Sequence, residues 1–233
     1  MAELQFDTYP TILINCAAAP IVSGSLTSIT TAQFERTLHT NLSSQFNLIS
    51  VFLPAILDPS NTVGGTIVSL SSILSQFAPA KVGPYSASKA ALSSLHHTLS
   101  VEIRNLGLGH RVKTILVEPG QINTSLFAGV ETPNPFFAPV LDTREVCKAV
   151  TNLIDAGEGG VVRLPTYASW AAWYGIVPVS VQRVLRWASG IDVAMAKRNE
   201  GSSAGAESPL VSKSKGVGDG SMSGDDLVLV EKL

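Results

Sequence analysis

The sequence predicts an α/β protein built on a doubly wound parallel sheet, and three observations carry that expectation. Four short runs open at Thr11, Thr66, Val112 and Val161, and each is apolar throughout rather than alternating, as strands buried on both faces are. The segments between them carry apolar residues three and four apart, the spacing of amphipathic helices. Strand and helix signals thus alternate, as they must when a crossover helix joins each pair of parallel strands.

The first run, residues 11–15 (TILIN), is a short parallel-type strand. The apolar stretch from Ile12 to Ala19 imitates the tail of a signal peptide. Glu3 and Asp7 precede it, however, so the positive leader of such a peptide is absent and the strand reading is preferred. Cys16 just beyond is expected to be a buried small hydrophobe. Residues 28–57 form one long helical pattern with Phe34, Leu38, Phe46, Ile49 and Phe52 on the buried side, N-capped by Thr30 or Thr31. Asn41 falls in mid-helix, where asparagine is a poor helix former. A solvated side chain and a functional one are both open at this point.

Gly64-Gly65 leads into the second strand, residues 66–70, which ends at Ser71 and Ser72. The helix that follows buries Leu92, Leu95, Leu99 and Ile103 on one stripe and stops at Gly107 and Gly109. Near its start stand Tyr85 and Lys89, one turn apart on one face. A lysine beside a tyrosine favours the phenolate and is expected to pull the phenol's pKa down from about 10. Such a tyrosine gives or takes a proton at a carbinol or carbonyl oxygen, and a strand-end serine bonds the same atom. Alone, Tyr-x-x-x-Lys also fits a simple helix-surface pair. Residues 112–117 make the third strand, followed by Glu118-Pro119-Gly120, which by itself reads as a turn. Residues 125–141 form an apolar loop with Leu126, Phe127, Phe136 and Phe137. Asp142 then caps a helix that runs through Val146, Val150, Leu153 and Ile154 to Gly157, and residues 161–165 close the sheet.

Taken together, Asn15-Cys16-Ala17-Ala18 after a strand, Asn41 in the next helix, Ser72 thirteen positions before Tyr85, Lys89, Pro119-Gly120 and Thr124 resemble the core of the short-chain dehydrogenases/reductases. The resemblance covers about residues 8 to 165. It implies a partial Rossmann-like sheet and NAD(P)-dependent interconversion of an alcohol and a carbonyl. In those terms Tyr85 is the general acid/base, Lys89 its pKa tuner and ribose ligand, Ser72 the partner of the carbonyl oxygen, and Asn41 the holder of a relay water on a kinked helix. Asn15, Ala17, Tyr85, Lys89, Pro119, Gly120 and Thr124 are the implied cofactor-binding residues. The cofactor is NAD or NADP. A homodimer through residues 28–57 and 85–105 is implied as well, and the apolar loop 125–141 implies an apolar substrate.

In such a fold a Gly-rich turn between the first strand and helix receives the cofactor's pyrophosphate. No such turn occurs in the sequence, which opens at what resembles the family's fourth strand. The resemblance thus implies that the first three strand-helix units are lacking, that the sheet ends in an exposed apolar edge at residues 11–15, and that the chain binds the cofactor poorly. Three readings stay open: a truncated oxidoreductase, an inactive remnant acting as a membrane-associated interaction protein, and an enzyme completed by a partner chain.

Composition sets the outer bounds. The chain has 233 residues, 45% hydrophobic and 15% charged, with a net charge of -2, which argues against a nucleic-acid partner. Its two cysteines, Cys16 and Cys147, form neither a disulfide framework nor a metal-ligand pattern. The mean hydropathy of +0.28 is high for a soluble enzyme. No charge occurs between Arg163 and Arg183, and Trp170, Trp173 and Trp187 fall around that run beside Tyr167 and Tyr174. Pro165, Gly175 and Pro178 break a spanning helix, so residues 164–187 are expected to dock in the plane of a membrane, with Arg183 and Arg186 at lipid phosphates. A buried extension packed on the substrate loop is the alternative. The expected layout is therefore a partial catalytic core at residues 1–165, an aromatic extension at 166–198 and a Gly/Ser-rich disordered tail at 199–233. Membrane association on the cytosolic side, at the endoplasmic reticulum or a lipid droplet, follows from it, with a cytoplasmic protein as the alternative.

Overall fold

A computed structural model describes residues 10–127 and 139–194. Its sheet has the order β1 (Ile12–Asn15), β2 (Gly65–Leu70), β3 (Val112–Pro119) and β4 (Gly160–Leu164), all parallel. The register sets Asn15 beside Ser69, Leu70 beside Val117 and Pro119 beside Leu164, so the strand ends that carry the site residues line up. The α/β class and the four strands are as the sequence predicts. Helices cover both faces. On one, Ile49 and Ile56 of α2 (Ser44–Leu57) and Leu99 and Ile103 of α3 (Gly83–Asn105) pack with Ile67 and Val112. On the other, Val146 and Val150 of α4 (Thr143–Asp155) pack with Val68, Ile115 and Val117. Successive residues Ile67 and Val68 face opposite layers, which is why the strands read as apolar throughout. Each such side chain contributes about 1.5–3 kcal/mol by leaving water.

The turns follow from local chemistry. Thr30 caps α1 (Thr31–Leu38) in a capping box with Gln33. Gly64 has φ +76, and a Cβ there would lie 2.2 Å from the Arg111 carbonyl oxygen, so only glycine lets β2 start where it does. Gly107, at φ +73, ends α3, with the Leu108 amide donating to the Ile103 carbonyl. Asp142 caps α4 by accepting from the Arg144 amide at 2.8 Å.

Two expectations about burial are corrected. Phe34 and Phe46 are exposed, and the inward positions at that level are Thr37, Asn41 and Gln45. The reason is the segment after β1. Its backbone leaves the sheet and needs side-chain partners, which Asn41 supplies to the Ala19 amide and Gln45 to the Ala17 carbonyl. Cys16, expected to be buried, is exposed because it stands where the chain turns out of the sheet. At the edge of the described sheet, Ile12 and Ile14 are 45% and 52% exposed.

Beyond β4 come a 3₁₀ stretch (Thr166–Ile176), α5 (Val179–Ser189) and the short α6 (Ile191–Ala194). Among the described residues no helix is long and apolar enough to cross a membrane. Phe136, Phe137 and the tail at 199–233 lie outside the described residues.

Candidate active site

The site forms where β2 gives way to α3. Ser71 extends the sheet by one bond, its amide donating to the Val117 carbonyl at 2.8 Å. Ser72 then turns out of the sheet and caps a 3₁₀ turn, its hydroxyl accepting from the Leu74 amide at 3.2 Å. Helix α3 begins with Gly83 and Pro84, a favoured first-turn residue, which brings Tyr85 and Lys89 inward. Both are buried. The Ser72 and Tyr85 hydroxyls border the same cleft, near enough for Ser72 to favour the phenolate. The Lys89 ammonium donates to the Leu70 carbonyl at 2.7 Å and lies 5.8 Å from the centre of the Tyr85 ring. Ile21, Leu74, Val82 and Phe127 enclose that ring, Phe127 edge-on at 6.3 Å.

Electrostatics here corrects the expectation drawn from the lysine. Burial pushes the Tyr85 phenol up to about 12, against an opposing pull from Ser72. Burial likewise pushes the Lys89 ammonium down to about 8, with a smaller opposing influence from Cys16. Desolvation is the largest cause for both groups, because the apolar cluster around them excludes water. At neutral pH Tyr85 therefore carries its proton and Lys89 its charge.

One cleft of about 410 Å³ is lined by Ser72, Tyr85, Lys89, Pro119, Gly120 and Thr124 together with Cys16, and its apolar wall includes Ile21, Ile122, Leu126 and Phe127. The structure thus gathers six of the residues expected at the site. Asn41, Asn15 and Ala17 are not among its lining residues. Asn41 sits in a π-helical turn (His39–Ser43), fully buried. Its side chain accepts from the Ala19 amide at 2.7 Å and donates to Ser88 at 2.9 Å, and Ser88 donates to the Tyr85 carbonyl at 2.7 Å. It thereby braces both walls from behind. Asn15 is buried with neither side-chain atom paired to protein.

A second layer was not anticipated from the sequence. Glu118, wholly buried at the end of β3, pairs with Arg163 of β4 at 2.8 Å. Ser93 of α3 lies 2.9 Å from the Glu118 carboxylate and 2.8 Å from the Ser71 hydroxyl, which donates to the Lys89 carbonyl at 2.9 Å. This chain of bonds ties β3, β4 and α3 together beneath Lys89. The available signal was a carboxylate directly after the apolar run Ile115-Leu116-Val117.

The lining also fits the ribose end of a nicotinamide nucleotide. An ammonium has three donors, of which the Leu70 carbonyl takes one, and the hydroxyls of Ser72, Tyr85 and Thr124 border the same space.

Comparison with known proteins agrees with this geometry. The family profile for short chain dehydrogenases matches residues 9–134. The uncharacterized oxidoreductase TDA5 of Saccharomyces cerevisiae is 42% identical over 129 residues, which are 55% of this chain and 39% of that protein. Another yeast protein, the uncharacterized oxidoreductase YDL114W, is 27% identical over 184 residues, 78% of this chain and 58% of its own length. The chain thus spans 39% and 58% of these two relatives. A crystal structure of a short chain dehydrogenase from Burkholderia cenocepacia in complex with NADP is 28% identical, with a TM-score of 0.58, over 77% of this chain and 70% of that one. On its sequence match, its sheet and its alignment with that enzyme, the chain belongs to the short-chain dehydrogenase family.

Proposed function

We propose that this chain carries the proton-transfer site of an NAD(P)-dependent oxidoreductase that interconverts an alcohol and a carbonyl on an apolar, lipid-, retinoid- or steroid-like substrate. The observation that carries it is that Ser72, Tyr85 and Lys89 line one apolar-walled cleft, the ammonium beside the tyrosine ring. NADP in the related Burkholderia structure supports the cofactor class. Lys89 and Tyr85 would hold the nicotinamide ribose, and Pro119, Gly120 and Thr124 would border the ring, with Asn15 and Ala17 behind them. Bound there, the nicotinamide supplies or accepts a hydride.

The remaining chemistry belongs to the chain's own residues. Ser72 donates to the substrate oxygen and orients it. In reduction Tyr85, protonated at neutral pH, gives its proton to that oxygen as negative charge develops, and in oxidation the proton returns. Lys89 stabilises the tyrosinate formed in between. Asn41 holds Ala19 and Ser88 in place, and we assign it the water that reprotonates Tyr85. The cluster of Ile21, Leu74, Val82 and Phe127 excludes water from the phenol. The test is Tyr85→Phe in the natural full-length protein, assayed on apolar ketones and aldehydes with NADH and NADPH. Turnover should fall by about 10²–10⁴, the usual worth of a positioned acid. Near wild-type turnover would refute the assignment.

The extension supports membrane docking, and with it a cytosolic-side location at the endoplasmic reticulum or a lipid droplet. Val181, Val184 and Leu185 form a solvent-facing apolar stripe on α5, and Trp170, Trp173 and Trp187 are 78%, 63% and 84% exposed. Arg183 is exposed and free to meet phosphate, whereas Arg186 is engaged within the protein by Asp192. Flotation with vesicles of phosphatidylcholine and phosphatidylserine should carry the protein upward, and recovery of all of it in the soluble fraction would refute docking. A homodimer through residues 28–57 and 85–105 is also proposed. It is supported by the open groove of about 660 Å³ along α3, bordered by Ala90, Ser94, His97 and Val101, and light scattering showing a monomer would refute it.

A further inference from the structure

The chain between Ser72 and Tyr85 is held from outside the catalytic core, and the holding residues lie in the extension. Arg186 on α5 reaches inward and donates to the Ala78 carbonyl at 3.0 Å. The same guanidinium grips both carboxylate oxygens of Asp192, Nε to Oδ2 at 2.9 Å and Nη2 to Oδ1. Asp192 Oδ1 in turn accepts from the Ala80 amide at 3.1 Å. The two side chains meet because Gly190, at φ +64, ends α5 and turns the chain back. Tyr174 packs its ring on Phe77, with centroids 4.6 Å apart, and its hydroxyl helps hold the Arg186 charge. Ile191 packs on the cluster that encloses Tyr85.

Next to Ala80 stands Lys81, the one non-glycine residue with positive φ among those described, at 69°. A side chain disfavours that backbone, which persists where the surroundings hold it on both sides. Here Asp192 holds the Ala80 amide, and the Lys81 carbonyl accepts from the Gly24 amide at 2.8 Å. Two residues later α3 begins, and Tyr85 is its third residue.

We propose that Arg186 and Asp192 are positioning residues for the active site: they clip residues 78–81 in their strained conformation and so set the entry of α3, which places Tyr85 against Ser72. The inference rests on the reading of Tyr85 as the acid/base. It extends that reading to a part of the chain where no catalytic motif lies. Because the ion pair is only partly buried, with side chains 26% and 38% exposed, it adds little to global stability. Its effect is local.

The experiment is hydrogen exchange by mass spectrometry on the full chain and its Arg186→Gln and Asp192→Asn variants. Peptides spanning residues 77–84 should exchange about tenfold faster in either variant, and the double variant should go at least as far as either single, because each side chain also holds its own backbone group, Ala78 or Ala80. Exchange in α2 and β2 should not change. Unchanged exchange at 77–84 would overturn the clip. The second readout is kinetic, in the natural full-length protein. Both variants should lose about tenfold in kcat with cofactor KM unchanged, since an acid displaced from its substrate oxygen lowers transition-state binding alone. Arg186→Lys, which keeps a donor for Asp192, should recover part of it. Loosened exchange with kcat intact would overturn the positioning role. The reading of Tyr85 itself stands or falls separately, on Tyr85→Phe.

Discussion

Replacing Lys89 by methionine tests the electrostatics of the site directly. The ammonium is buried, its pKa lies at about 8 against an ordinary 10.5, and burial is the main cause. The unfolded chain thus keeps this proton up to about pH 10.5, while the folded protein releases it from about 8. Folded and unfolded states are both charged below that window, and at about 1.4 kcal/mol per pH unit the folded protein carries a penalty of about 3 kcal/mol there. As pH rises through the window the unfolded state binds more protons, so stability rises with pH. Methionine removes the penalty and leaves the Leu70 carbonyl without its donor, which costs about 1–3 kcal/mol. At pH 7 the variant should therefore match or exceed the wild type in stability. At pH 10 the wild type has shed most of its penalty, and the comparison should shift against the variant by about 2–3 kcal/mol. The Leu70 contribution is the same at both pH values and cancels. Urea unfolding followed by tryptophan fluorescence at pH 7 and pH 10 measures the difference. An identical stability difference at both would show that Lys89 is not desolvated as the structure has it.

Other expectations concern the support of the site. Glu118→Gln leaves the Arg163 guanidinium without its charged partner and should destabilise by about 3–5 kcal/mol, lowering Tm by roughly 10 °C, and a shift under about 2 °C would refute the structural role of the pair. Gly64→Ala and Gly107→Ala share a positive φ and differ in surroundings. The first also drives a Cβ into the Arg111 carbonyl and should prevent folding or lower Tm far more than the second, which meets nothing within 4 Å and should cost only about 1–2 kcal/mol. Equal effects in unfolding experiments would refute the steric argument.

In the proposed site Lys89 would set function against stability. A methionine of similar length would lie in the same apolar surroundings with little penalty, so the ammonium is held there at the expense of the fold. Such a group is what a proton-transfer site needs. The Asn41–Ser88 and Glu118–Ser93–Ser71 bonds then supply the rigidity that keeps it in place.

The four strands, their parallel pairing and the two helical layers were legible in the sequence, because a strand buried on both faces is apolar at most of its positions and a crossover helix must show one stripe. Ser72, Tyr85, Lys89, Pro119, Gly120 and Thr124 were named together through the family resemblance, and the structure lines one cleft with all six. Burial inside the long helix was not legible. Phe34 and Phe46 satisfy a hydrophobic periodicity, yet Asn41 and Gln45 take the inside because unpaired backbone after β1 requires them, and such a demand is absent from helical spacing. The tyrosine's pKa was misread for a related reason: a spacing of four shows that Lys89 is near, but the sign of the shift depends on how much water the surrounding cluster excludes. Glu118 with Arg163, and Ala80 with Asp192, join residues that only packing brings together. Partners 45 and 112 positions apart leave no local pattern to read, so tertiary structure alone decided them.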